Sequence, residues 1–172
     1  MDPQDIVFSL AEATIGATYN QYADSDLRRW RLIDYLTVRR DAPLLLVGEA
    51  AGYRGARVSG IPFTSERQLT GTGPAEATAT IVQRVLAELG LEEHVLLWNV
   101  VPTHPGTATS NRRPTSTEIA AGTRFLEALQ RGRRSIAIGR IAHAACGGDY
   151  VRHPSHGGAD AFRVGLRIAI GR

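Results

Sequence analysis

The sequence predicts an α/β fold: a three-layer α/β/α sandwich around a four-stranded, mostly parallel sheet. Two observations carry that expectation. Short, uniformly apolar runs recur along the chain, the pattern of strands buried on both faces. Longer stretches with helical periodicity lie between them, and such alternation places helices on both faces of a parallel sheet.

Taken in order, Ile6–Thr14 and Leu27–Arg39 read as amphipathic helices, the second with Asp24, Ser25 or Asp26 available as its cap. Asp41-Ala42-Pro43 breaks the chain, and Leu44–Val47 forms the first buried strand. Pro74–Leu89 is the next helix, with proline at an early position and Gly90 as its stop. Val95–Val101 is the second strand, ended by Pro102. Ser116-Thr117-Glu118 opens a helix that runs to Gln130, and Ser135–Ile138 is the third strand. Gly139 turns the chain into the short stretch Ile141–Cys146. Tyr150-Val151-Arg152 is the fourth strand or its end, and Asp160–Ile170 the last helix. No repeat or low-complexity linker divides the chain, so residues 1–172 are expected to form one domain.

Composition narrows the classes. With 172 residues, 43% of them hydrophobic, the chain can bury a sizeable core. No apolar run is long enough to span a bilayer, and the N-terminus lacks the basic-then-apolar order of a signal peptide. A cytoplasmic protein without membrane association is expected. The single cysteine, Cys146, excludes an internal disulfide framework and any all-cysteine iron–sulfur or zinc site. His153 and His156 stand three apart, but no carboxylate or cysteine cluster with metal spacing accompanies them. Neither a metal nor another cofactor is therefore expected.

All 20 basic residues are arginine. Residues 1–100 carry 9 Arg against 13 Asp and Glu, a net of −4; residues 101–172 carry 11 against 4, a net of +7. A basic half built from guanidinium forks suits phosphate contact, although a compositional bias towards arginine would look the same. The absence of lysine has a firmer consequence: no side-chain amine can form a Schiff base with a sugar aldehyde.

Ligands of such sheets bind at the carboxyl ends of the strands. Three polar segments fall there. Gly48, Ala50, Ala51 and Gly52 let a ligand approach the backbone, or simply make a tight strand-to-helix turn. Asn99 lies inside the strand LLWNVVP, where an amide must find matched partners: a base edge with one donor and one acceptor, or local backbone. His153 stands in RHPSHGG, where an imidazole can donate to developing negative charge. Phe63, after Pro62, is either a core aromatic or a platform for a planar ligand.

GEAAGYRG, then GIPF, then LLWNVVP with NRRPT, then HPS, resemble in that order the motifs of the uracil-DNA glycosylase superfamily, over roughly Leu44 to Phe162. The resemblance implies the same three-layer fold and an enzyme that flips a base out of DNA and hydrolyses its N-glycosidic bond, initiating base excision repair. It implies that Gly48, Ala50, Ala51, Gly52 and Tyr53 line the base pocket, that Phe63 stacks on the base, and that Asn99 reads the uracil edge. His153 would donate to uracil O2. Ser155, His156, Gly157 and Gly158 match the loop that enters the minor groove. Arg54, Arg57, Arg112, Arg113 and Arg163 are the candidates for phosphate contact.

The chain also departs from the family pattern. Ala50 stands where the best-known class carries a water-activating Asp, and Ala51 replaces a proline. The classes that share Glu49 usually hold an iron–sulfur cluster through four cysteines, which one cysteine cannot do. Glu66, shortly after Phe63, is the first candidate for holding the water, and Glu49 the second. The chain thus resembles a cluster-free outlier class: a monofunctional, monomeric glycosylase acting on DNA that contains uracil, with other deaminated bases open. The missing carboxylate at Ala50 leaves a second reading, a non-catalytic binder of uracil-containing or abasic DNA. A nucleotide or small-molecule enzyme on a flavodoxin-like sheet is a third, although no GxxxxGK[ST] or GxGxxG fingerprint occurs.

Overall fold

The computed structural model describes residues 2–171. Its elements are α1 (Pro3–Ala11), α2 (Asp26–Val38), β1 (Leu44–Ala50), α3 (Ala56–Ser59), α4 (Glu66–Thr70), α5 (Ala77–Glu88), β2 (Val95–Val101), β3 (Gly106–Thr107), β4 (Ser110–Asn111), α6 (Ser116–Gln130), β5 (Arg134–Ile138), α7 (Arg140–Cys146), β6 (Asp149–Val151) and α8 (Ala159–Ile170). Strands β2-β1-β5-β6 form, in that spatial order, a four-stranded sheet whose neighbours are all parallel. The expected α/β architecture is therefore present.

Side-chain alternation sorts the strands into two cores. Leu45, Val47, Leu96, Trp98 and Val100 pack with Leu10 of α1, Leu32 and Leu36 of α2 and Leu126 of α6. Leu46, Leu97, Ile136, Ile138 and Val151 pack on the other face with Val82 and Val85 of α5 and Phe162 and Leu166 of α8. Both faces of the sheet are covered, which is why its strands read as apolar runs rather than as alternating ones.

The boundaries differ from the periodicity where local polar groups decide them. Helix α1 begins at Pro3 because the Asp2 carboxylate accepts the Gln4 N–H at 2.9 Å. It stops at Ala11, beyond which the Asn20 amide donates to the carbonyls of Leu10 and Ala13. Helix α6 starts with a capping box: Thr115 accepts from the Glu118 N–H, and the Glu118 carboxylate accepts from the Thr115 N–H. Strand β1 runs three residues past Val47, pairing Gly48 with Asn99 and Ala50 with Val101. Gly48–Ala50 are thus strand, not turn. The β3–β4 hairpin and the short helices α3 and α4 fall where the sequence carries no periodic signal.

Candidate active site

Phe63, Asn99 and His153 line one cavity of about 520 Å³ at the carboxyl end of the sheet. They come from the loop after α3, from strand β2, and from the loop after β6. Gly48 shows how closely the first two meet. A Cβ at that position would overlap the Phe63 ring and stand 2.8 Å from Asn99 Oδ1. Only a glycine in β1 leaves room for an aromatic and an amide on the same side of the sheet.

Asn99 alternates in register with Val95 and Leu97, so it points to the face that carries Phe63. It is 3% exposed, and its side-chain amide makes no hydrogen bond among the described residues. Local backbone does not satisfy it, which leaves one donor and one acceptor directed at the cavity. Phe63 has φ 51°, a region that L side chains rarely adopt. Its carbonyl accepts from Gln83 Nε2 at 3.1 Å, and Ser59 Oγ donates to the neighbouring Thr64 carbonyl at 2.6 Å. Those bonds hold the ring in place over the cavity.

His153 is oriented by its own loop. The Ser155 N–H points at Nδ1 from 3.2 Å, and Ser155 Oγ lies 2.8 Å from the same nitrogen. Nδ1 is therefore an acceptor, and the neutral ring carries its proton on Nε2. Burial, and then the nearby His156, hold the His153 pKa below the usual histidine value. A neutral imidazole that keeps an N–H for the cavity is the form needed to donate to an anion.

Two carboxylates line the same cavity, Glu49 and Glu76. Burial raises the pKa of Glu49, partly offset by Arg113, and burial raises that of Glu76. Glu66 is elsewhere. Its two oxygens accept from Arg31 at 2.8 and 3.0 Å, and it does not line the cavity. The expectation that Glu66 faces the site is corrected: α4 turns it towards α2, where a bidentate arginine holds it.

Of the remaining pocket candidates, Ala50, Ala51 and Gly52 line the cavity, and Gly48 lies buried beneath it. Tyr53 does not line it. Its N–H donates to Asn111 Oδ1 at 2.9 Å, and it lines a neighbouring concavity with Arg54, Arg57 and Arg67. The Ala51 N–H bonds to the Val101 carbonyl, so it does not face the cavity as an anion donor.

The basic candidates divide. Arg113 and Arg112 line the cavity, but Arg112 is held bidentate by Glu118 at 2.5 and 2.8 Å. Arg54 lies 5.4 Å from the Tyr53 ring and Arg57 lies 4.8 Å from the Tyr19 ring, neither with a carboxylate partner among the described residues. Arg163 sits on α8, bonded to Glu88 at 2.9 Å and Asp160 at 3.0 Å, away from the cavity. Both of its partners are exposed carboxylates. Ser155 and His156 reach the cavity, and His156 and Gly157 form the exposed tip of their loop. Gly158 does not belong to that tip; it is buried where α8 begins, packed on the His153 carbonyl.

Sequence patterns do not single out Glu76 or His104. Glu76 follows a proline just before a helix, which reads as a helix start. His104 is fully buried, its ring nitrogens 2.7 Å from the Ala51 carbonyl and 2.8 Å from that of Thr107, so it ties the end of β1 to the β3–β4 hairpin. Nothing local in the sequence distinguishes it from any loop histidine.

Residues 36–165 match the family model of the uracil DNA glycosylase superfamily. No curated protein sequence matches the chain. Among solved structures, the chain is similar to wild-type SMUG2 from Pedobacter heparinus, with a TM-score of 0.71, 12% identity and 100% of both chains covered.

Proposed function

The chain belongs to the uracil DNA glycosylase superfamily, and from that premise we propose that it is a monofunctional glycosylase that releases uracil from DNA and leaves an intact abasic site. The observation that carries the reading is the meeting of Phe63, Asn99 and His153 around one cavity. A base must leave the stack before its glycosidic bond is accessible. Once everted, a pyrimidine fits between the Phe63 ring and the strand ends, where the Asn99 amide matches the N3–H donor and O4 acceptor of uracil. Bond cleavage sends the electron pair of the C1′–N1 bond into the base, and Nε2–H of His153 donates to the anion at O2. Such a preorganised donor contributes about 3–4 kcal/mol.

Glu49, half-buried at the cavity wall, faces the positive charge that grows on the sugar. Arg54, Arg57 and Arg113 contact phosphates, and the His156–Gly157 tip enters the groove. Lacking lysine, the chain has no side-chain amine for β-elimination.

The test is base release from one set of oligonucleotides carrying uracil, xanthine or hypoxanthine, single-stranded and mismatched. Uracil release with the strand unbroken, and with no borohydride-trapped enzyme–DNA adduct, is expected. Tight binding to uracil or abasic DNA with no base release from any member would reduce the protein to a lesion binder.

A further inference from the structure

Hydrolysis needs a group to hold the attacking water, and Ala50 offers none. Four glutamates lie near the carboxyl ends of the strands. Glu66 is clamped by Arg31 and Glu118 by Arg112. Glu49 faces the cavity with Arg113 close enough to oppose the effect of its burial. Glu76, which caps α5 and lines the cavity, has no hydrogen-bond donor or cation against its carboxylate among the described residues.

Its placement is also built. A Cβ at Gly52 or at Gly55 would overlap the Glu76 carboxylate. The segment after β1 is therefore glycine at the two positions where this carboxylate is laid against the backbone, beside Ala50 and Ala51. The chain has no acid at position 50, and folding brings the Glu76 carboxylate to the cavity that Ala50 also lines.

Resting on the glycosylase reading, we propose that Glu76 holds the attacking water and takes its proton while facing the cationic sugar. In that step the water oxygen forms a bond to C1′ as the C1′–N1 bond breaks. The base leaves with the electron pair, and the water proton passes to the Glu76 carboxylate, then to solvent. Burial raises the Glu76 pKa, which makes its ionised form a better proton acceptor.

Glu76→Gln keeps the shape and removes the charge. Single-turnover uracil release is expected to slow roughly 100-fold or more. Affinity for DNA with a neutral tetrahydrofuran abasic site should stay within about twofold of the parent, which also shows that the variant folds. The parent should bind a cationic pyrrolidine abasic analogue more tightly than the tetrahydrofuran one. Glu76→Gln should lose that preference, and Glu76→Asp, shorter but charged, should keep it. Parental release by Glu76→Gln, an undiminished preference, or a preference lost only in Glu49→Gln would overturn the assignment. The analogue experiment needs no turnover: a parent that releases no base but shows a Glu76-dependent preference would refute the glycosylase reading, and the water-holding role with it, and leave Glu76 only as the carboxylate that faces the sugar.

Discussion

Glu118 and Glu76 are the same residue in two opposite settings. Glu118 is 1% exposed and fully partnered, accepting from Arg112, from the Thr115 N–H and from the Ala17 N–H at 3.2 Å. The Arg112 hydrogen bonds hold its pKa down to about 2. Glu76 is partly buried with no such partner, and its pKa moves up. Burial without donors penalises the charge, whereas burial with donors keeps it. The first setting ties the loop before α6 and the segment after α1 to the fold. The second stores an unpaired carboxylate at a cavity wall, and stability is lost to keep it there. Glu66 is likewise partnered, by Arg31, while burial raises the Glu49 pKa with Arg113 opposing it.

The largest effect that sharpens this contrast is on chemistry. His153→Ala should slow uracil release by about 100–1,000-fold, the scale of one missing donor to a developing anion. Single-turnover assays would read it, with abasic-DNA affinity near the parent's. A parental rate would detach His153 from the reaction and leave the cavity without its electrophile.

Stability comes next. Glu118→Ala should cost roughly 2–3 kcal/mol, the loss of a cap and a partnered buried carboxylate. Glu49→Gln should cost nothing or stabilise, because it removes a charge that burial disfavours. Urea denaturation of both variants tests the pair. The pH dependence carries opposite signs. The Glu118 contribution is complete above its unfolded pKa of about 4.5 and disappears as pH falls towards 2. The raised carboxyls of Glu49 and Glu76 behave the other way: each favours the fold while protonated and weakens it as pH rises through its folded pKa. If Glu118→Ala were as stable as the parent at pH 7, the comparison would break.

The smallest expected effect separates free from committed arginines. Replacing Arg54 and Arg57 together should lower the slope of log affinity against log salt by about 1–2, close to 0.9 for each phosphate that is no longer neutralised. Arg163→Ala should leave the slope unchanged, since Glu88 and Asp160 already hold that guanidinium. Equal slopes in all three proteins would remove Arg54 and Arg57 from the phosphate path.

Much of the frame was legible in the chain. Runs such as Leu44–Val47 and Val95–Val101 have to be strands covered on both sides, because nothing else buries so uniform a stretch in so few residues. Asn99 and His153 were legible as cavity residues for a related reason: a polar group inside or ending such a strand needs a partner, and strand ends are where ligands sit. The place of Glu66 and the partners of Arg163 were not legible, because proximity in sequence to a motif says nothing of which neighbour neutralises a charge. Arg31 lies 35 residues from Glu66, and Glu88 lies 75 residues from Arg163.

Sequence alone determined the layer architecture, the strand-end location of the candidate site, and the lack of any lysine chemistry, because periodicity and composition are local properties of the chain. Tertiary structure decided which carboxylates remain unpaired and which backbone positions they lean on. Glu76 meets Gly52 and Gly55 only after β1 and α5 have packed. A charge's partners are set by folding over distances that no short motif spans.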